Sequence, residues 1–425
     1  MSIGSKPEWI KGIRHELDYG WRYHGDVKGI LPDVSIMLVE FAAELEQVLA
    51  AEDRVDSSSA SCFQCGTCNA VCPYSQVATD REILSARRML HEKQLGLTTF
   101  EGEEMWLCTT CDACVEQCPR GVEIIDFMRA LRRVGMELGV GSIPDSLRRA
   151  VKNTASVGNP FGEPRDKRSD WAKHLNVKPF TKGMELLYFP GCYPAYDPRA
   201  RKVAQATANI LKEAGVDFGI LSSREVCCGE SVRKAGNEGL FQSLAQHNIR
   251  VFIESGVKKI LVTSPHCYHT FKKEYAALGG GFEVIHSTQY LAQLVGEGRL
   301  KLGKALNKVV TYHDPCYLGR HNEIYNEPRE VLQSILGLEL VEMPESSRRS
   351  LCCGGGGGGI WLETKKGERL ADMRLEQAIA TKAHVLAVSC PYCLINFEDA
   401  RLTCGGGDAI EVKDIAELVW EAVCG

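Results

Sequence analysis

Short apolar runs punctuate the C-terminal half of the chain: ELLYF (185–189), KILVTS (259–264), KVVTYH (308–313) and HVLAVS (384–389). Between them lie segments with apolar residues at helical spacing, such as DPRARKVAQATANILKEAG (197–215) and EPREVLQSILG (327–337). Strand, helix and strand in alternation predict α/β units built on parallel sheet. The N-terminal half lacks such runs and reads as mainly helical. Residues 31–53 carry apolar positions at helical spacing behind Asp33, a good N-cap. That helix packs on the next domain or a partner, or completes a core of its own. Two more helical patterns occupy 80–96 and 122–139. Residues 141–183 are rich in charge, and Pro144, Pro160, Pro164 and Pro179 interrupt any long helix there.

The C-terminal half also repeats itself. The Gly-Cys-Tyr at Cys192 answers the Pro-Cys-Tyr at Cys316, Cys227-Cys228-Gly229 answers Cys352-Cys353-Gly354, and SPHC (264–267) answers CPYC (390–393). A near-constant offset of about 125 residues implies duplication into two similar lobes. The expected organisation is a helical extension (1–55), a two-cluster ferredoxin-like domain (56–140), a linker (141–183), a first lobe (184–300) and a second lobe (301–425). The fold class is α/β for the duplicated lobes, preceded by a mainly α-helical ferredoxin-like domain.

Composition narrows the chemistry. The 425 residues are 44% hydrophobic and 25% charged, ordinary for a globular protein. A net charge of -5 gives no global field for nucleic acid. No apolar stretch of about 18 residues predicts a membrane span, and the N-terminus has no apolar signal core, so a cytoplasmic location is expected. The unusual count is 19 cysteines, clustered tightly beside Pro and Gly. In a long, unexported chain that pattern favours metal or iron–sulfur ligation over disulfides.

Two runs share one spacing: Cys62-x2-Cys65-x2-Cys68-x3-Cys72-Pro73 and Cys108-x2-Cys111-x2-Cys114-x3-Cys118-Pro119. This is the bacterial two-[4Fe–4S] pattern, in which the fourth cysteine of each run serves the other cluster. The expected sets are Cys62, Cys65, Cys68 and Cys118, and Cys108, Cys111, Cys114 and Cys72. Zinc, the competing occupant, is usually held by pairs of CxxC rather than by four cysteines in one run. Two cubanes in one small domain make an electron wire, and no acid–base pair sits among these cysteines.

The second lobe brings five cysteines from three segments: Cys316, the vicinal pair Cys352 and Cys353, and Cys390 with Cys393. Adjacent thiolates strain at one corner of a cubane. They suit a cluster in which one sulfur bridges two irons, and five thiolates on four irons predict a non-cubane [4Fe–4S] cluster. The six glycines 354–359 have no following Lys-Ser or Lys-Thr, so they do not read as a phosphate loop. They let backbone approach the cluster and its sulfides, or else form a loop with no role.

At this point the chain resembles the D-type subunit of heterodisulfide reductase, which looks like a fusion of the family's C-type cubane-carrying and B-type catalytic subunits. The motifs that carry the resemblance are CFQCGTCNAVCP, CTTCDACVEQCP, NPFGEP, YFPGCYP, CCGE, YHDPCYLGRHNEIYNEPREVL, LCCGGGGGG and CPYC. Similar proteins serve sulfite-reducing, glycolate- or lactate-oxidising and flavin-based bifurcating complexes. The resemblance implies electron transfer, in some members thiol–disulfide chemistry, and ligation of the non-cubane cluster by Cys316, Cys352, Cys353, Cys390 and Cys393. The first lobe departs from it, because Ser264 stands where the repeat and the family expect cysteine. The remaining set of Cys192, Cys227, Cys228 and Cys267 suits zinc, a cubane, or a cluster with a substitute ligand. His266 and His269 are nearby and read as hydrogen-bond partners. His313 is a candidate proton donor to a nascent thiol, or a residue that caps its strand. Cys404 and Cys424 fall outside the repeat and read as unligated.

The leading expectation is an electron-transfer subunit of an oxidoreductase that passes electrons through the two cubanes to a non-cubane cluster acting on a disulfide or thiol; the alternative is a pure electron relay, and the ferredoxin runs disfavour a zinc scaffold. No flavin or nicotinamide fingerprint follows a strand, so electrons must come from a partner. The expected partners are a flavoprotein of the heterodisulfide-reductase or another type, and a hydrogenase-, formate dehydrogenase- or cytochrome-type subunit, which could hold the chain at the inner face of a membrane.

Overall fold

In the computed structural model the described residues are 58–77, 84–97, 103–139, 141–364, 367–404 and 406–423. The expected helix at 31–53 and Cys424 lie outside them. Residues from Gln47 onward form one compact unit.

Two four-stranded parallel sheets carry the C-terminal half. The first contains β1 (Leu186–Phe189), β2 (Phe218–Gly219), β3 (Lys259–Val262) and β4 (Glu283–His286), in the order β2-β1-β3-β4. The second contains β5 (Lys308–Tyr312), β6 (Leu338–Val341), β7 (Val385–Val388) and β8 (Glu411–Asp414), in the same relative order, β6-β5-β7-β8. The duplication in the sequence is thus a duplication of topology. The inner strands pair Leu187 with Ile260 and Val310 with Val385. Helices on both faces bury β1 and β7 at every residue, which is why those strands read as unbroken apolar runs.

In each sheet the chain leaves one inner strand toward one edge and the other inner strand toward the opposite edge. The crevice at the carboxyl ends of the inner strands is the switch point where open α/β sheets place their ligands. Cys192 and the SPHC motif follow β1 and β3, while Cys316 and the CPYC motif follow β5 and β7. Proline fixes the start of the helices Pro265–His269 and Pro391–Thr403. Ser264 and Cys390 therefore sit at N-cap positions, with Cys267 and Cys393 in the first turns. The positive end of a helix favours thiolates there.

The ferredoxin-like part consists of short helices. Two of them, Thr67–Ala70 and Ala113–Glu116, start from left-handed residues, Gly66 and Asp112, that turn the chain within each CxxC. The longer helix Ile124–Leu138 falls within the 122–139 pattern, and Ala86–Gln94 within 80–96. Residues 141–183 contain the helix Asp145–Val157 and the 3-10 turn Arg165–Ala172. Trp171 packs in the core with its ring edge-on to Tyr188 of β1.

One side chain ties the parts together. Arg132, fully buried, donates to the carbonyls of Met105, Trp106 and Cys108, to Lys234 in the first lobe, and to Gly357 in the second.

Candidate iron–sulfur centres

The ferredoxin-like cysteines fall into two groups. Cys68 lies with Cys62, Cys65 and Cys118; burial, and then these thiolates, push its thiol up. Cys114 is pushed well up by burial and then by Cys108, Cys111 and Cys72. Each group draws its fourth cysteine from the other run. A cavity lined by Cys68, Cys72, Cys108, Cys111 and Cys114 is otherwise walled by apolar side chains such as Tyr74, Ile125 and Met128. Converging sulfurs in an apolar pocket fit a cubane. Cys118→Ser should therefore degrade the EPR signal of the centre at Cys62, Cys65 and Cys68. Damage confined to the centre at Cys108, Cys111 and Cys114 would refute the crossed grouping.

In both lobes the vicinal cysteines precede a glycine in the left-handed region, Gly229 at φ 85 and Gly354 at φ 90. Any side chain is strained there. The turn aims the glycine amide back at the first sulfur: Gly229 N to Cys227 Sγ, 3.4 Å, and Gly354 N to Cys352 Sγ, 3.3 Å. This explains the glycine of the CCG motif.

The second lobe assembles all five of its cysteines. Cys393 Sγ lies 3.2 Å from Cys353 Sγ, Cys352 contacts Cys316 and Cys353, and Cys390 contacts Cys393. All five are at most 7% exposed. The set also adjoins the ferredoxin-like domain, where the Cys111 and Cys352 thiols perturb one another. Cys352 Sγ lies 3.4 Å from Thr109 Oγ1. The half-buried guanidinium of Arg320 donates to the carbonyls of Cys111 and Ser350, both at 2.7 Å. Burial opposes its charge, but Cys111, Cys316 and Cys352 outweigh burial and hold it firmly protonated.

His313 offers a ring nitrogen within 4.8 Å of the Cys353 and Cys393 sulfurs. Its Nδ1 accepts from Arg374 Nε at 3.3 Å. Burial, and then Arg374, depress its basicity well below the ordinary range, so the ring is neutral.

The first lobe gathers Cys192, Cys227, Cys228 and Cys267. Cys267 Sγ lies 3.4 Å from Cys228 Sγ, and Cys192 contacts Cys227. Four converging thiols fit a four-coordinate ion or a cubane. Arg168, in the segment between the ferredoxin-like part and β1, reaches Cys192 Sγ at 3.6 Å and pairs with Glu225 at 3.1 Å, both carboxylate and guanidinium 2% exposed. No sequence signal marks Arg168 or Arg374, since each acts across the fold, and Arg320 is marked only by its place in the motif after Cys316. Ser264 is buried at its helix start. Cys404 is half-buried and contacts the Asp372 carbonyl.

The glycine run seals the joint between domains. A Cβ on Gly356 would collide with the Thr109 carbonyl, and one on Gly357 with the Cys108 carbonyl. The run is thus a surface on which the backbone of the second ferredoxin run lies.

Between the lobes is a ladder of rings. Tyr193 meets Tyr392 edge-on at 4.9 Å; Tyr392 lies against His266 at 4.6 Å, and His266 against Tyr317 at 4.0 Å. Glu230 Oε1 stands 3.2 Å from His266 Nδ1, and Ser231 Oγ bridges Glu230 and Tyr392 at 2.7 and 3.0 Å. Burial opposes charge on both members of the Glu230–His266 pair. Their mutual attraction, aided by Lys234 for Glu230 and by Cys390 for His266, prevails and holds Glu230 down at about 2 and His266 up at about 10. Tyr317 Oη reaches Thr110 Oγ1 at 2.8 Å, so the ladder also touches the ferredoxin-like domain.

Among known families, a 4Fe-4S dicluster domain matches residues 58–122, and the cysteine-rich CCG domain matches twice, over 186–272 and 310–398. A probable iron-sulfur-binding oxidoreductase of Bacillus subtilis, FadF, is 40% identical over 76% of this chain and 47% of its own length. The EtfAB:quinone oxidoreductase of Syntrophomonas wolfei is 37% identical over 78% of this chain and 48% of its own. The chain thus spans about half the length of these two relatives. The D-type subunit of the dihydromethanophenazine:CoB–CoM heterodisulfide reductase of Methanosarcina barkeri is 32% identical over 85% of this chain and 93% of its own. Among the described residues no helix is long and apolar enough to cross a membrane. With a dicluster domain, two CCG lobes of one topology and a match along nearly the whole of the Methanosarcina protein, the chain belongs to the family of D-type heterodisulfide reductase subunits, which are iron–sulfur oxidoreductase components.

Proposed function

We propose that the chain carries electrons between a flavoprotein and a second redox partner, and that it has no disulfide substrate of its own. Its cysteines hold two cubanes, at Cys62, Cys65, Cys68 and Cys118 and at Cys72, Cys108, Cys111 and Cys114, and a non-cubane [4Fe–4S] cluster at Cys316, Cys352, Cys353, Cys390 and Cys393. When bound, these groups supply one-electron transfer. The protein's part is to hold the thiolates, exclude water and keep the sets adjacent. The observation that carries the reading is the juxtaposition of the ferredoxin-like domain and the second lobe: Cys352 Sγ lies 3.4 Å from Thr109 Oγ1, inside the second ferredoxin run, and the Cys111 and Cys352 thiols perturb one another.

Two features favour relay over disulfide chemistry. The second-lobe sulfurs are buried, and the face they turn to the first lobe is filled by Tyr392, His266 and Tyr317. The ferredoxin-like domain is accessible at its other cysteine group: Cys65 is exposed, and Phe63, Leu95 and Leu97 are exposed apolar side chains. Gln94 ties that surface to the Cys62 carbonyl at 2.9 Å. This is where a flavoprotein would dock. The name of the Syntrophomonas relative fits a relay, whereas the Methanosarcina relative belongs to a disulfide-reducing enzyme.

The test is EPR of the oxidised, cluster-loaded protein with and without small thiols and disulfides. A relay gives the same second-lobe signal in each case. A new thiol-dependent signal would reject the relay in favour of disulfide chemistry at this site.

A further inference from the structure

The lobes share a topology, but they differ at the contact between them in a concerted way. By the internal repeat, Ser264 corresponds to Cys390, His266 to Tyr392, and Glu230 to Gly355. All three departures of the first lobe meet at one place. His266 lies between the tyrosines of the second lobe's cysteine motifs, Tyr317 after Cys316 and Tyr392 between Cys390 and Cys393. Glu230 Oε1 stands on its Nδ1 side, and the Cys390 thiol lies beside the ring, each favouring charge on the other. The second lobe has no side chain in the corresponding place, and a Cβ at Gly355 would stand 3.0 Å from Tyr392 Cβ.

We propose that His266 of the first lobe is a positioning residue for the second-lobe centre: oriented by Glu230 and stacked between Tyr317 and Tyr392, it donates a hydrogen bond across the lobe boundary to the Cys390 thiolate and thereby raises the reduction potential of that centre. This rests on the reading that the five second-lobe cysteines hold a cluster. Hydrogen bonds to cluster sulfurs stabilise the reduced, more negative form. The side chain that lets the first lobe do this occupies the place of a second-lobe tyrosine, in the same motif that has lost a cysteine. The first lobe has thereby become the polar wall of the second lobe's centre.

The experiment compares the cluster-loaded full chain with His266→Phe, His266→Gln and Glu230→Gln, by iron content and EPR-monitored redox titration. His266→Phe should lower the midpoint potential of the second-lobe signal and change its shape, leaving both cubane potentials in place. His266→Gln, which keeps an N–H donor, should recover part of the shift, and Glu230→Gln should give a smaller shift in the same direction. A second-lobe signal unchanged in His266→Phe at full iron content would overturn the proposal. So would a His266→Gln potential as low as that of His266→Phe. If the unmodified chain itself binds iron for the two cubanes alone, the five-cysteine reading fails and this proposal with it.

Discussion

Cys353→Ala should cost the protein about four iron atoms per chain while both cubanes remain, because the second-lobe centre shares no cysteine with them. Cys353 is the sulfur closest to the middle of its set, in contact with Cys352 and 3.2 Å from Cys393. Its loss leaves Cys316 and Cys352 on one side and Cys390 and Cys393 on the other with nothing to join them. Electron delivery from a reduced flavoprotein to the second partner should fall at least about 100-fold, the upper end of what perturbing a metal's surroundings costs. Partial reduction of the cubanes should persist, since their ligands and the exposed surface at Phe63 are untouched. Iron analysis, EPR of the dithionite-reduced protein and stopped-flow reduction measure the three effects separately. Loss of all clusters together would make the vicinal pair a folding element rather than a ligand pair.

Gly357→Ala should be the most damaging single-methyl change in the glycine run. Gly357 has φ 60, and its new Cβ would press on the Cys108 carbonyl and stand 3.1 Å from Arg132 Nη1. Left-handed strain costs about 1 kcal/mol. Backbone displacement in a close-packed joint adds about 1–3 kcal/mol. The combined loss of about 3 kcal/mol should appear as a lower thermal midpoint. Because the displaced backbone carries Cys108, transfer between the ferredoxin-like domain and the second lobe should slow as well. Gly298→Ala is the control: its φ is 70, but nothing lies within 4 Å of the new methyl, so it carries the strain alone. Equal effects of the two substitutions on stability and transfer would show that the glycine run is not a joint.

The parts of this molecule that depend on local pattern are legible in its sequence. The four apolar runs correspond to β1, β3, β5 and β7, the inner strands, whose two buried faces leave no polar alternation. The edge strands β2, β4, β6 and β8 leave no such trace, being as short as Phe218–Gly219 or partly exposed, as in Glu283–His286. The cysteine motifs are legible because ligation by one segment fixes spacing. What completes each centre is not. Arg168, Arg320 and Arg374 reach their sulfurs or histidine over long sequence separations, and only folding brings Glu230, His266 and Cys390 together. The Glu of CCGE and the His of SPHC are visible in the sequence, but there the repeat points only to the missing cysteine. Compared position by position, it also exposes the two substitutions that accompany that loss.

Arg132 bears on how the molecule is assembled. Its guanidinium keeps its proton at any ordinary pH, and buried charge without partners is costly. Two of its carbonyls lie far along the chain, that of Lys234 102 residues away and that of Gly357 225 residues away. The last of its partners to be synthesised is therefore the Gly357 carbonyl, in the glycine run. A fragment ending before the second lobe would carry the eight ferredoxin-type cysteines yet lack the carbonyl that locks that loop. The arginine thus couples the loop bearing Cys108 to the lobe made after it.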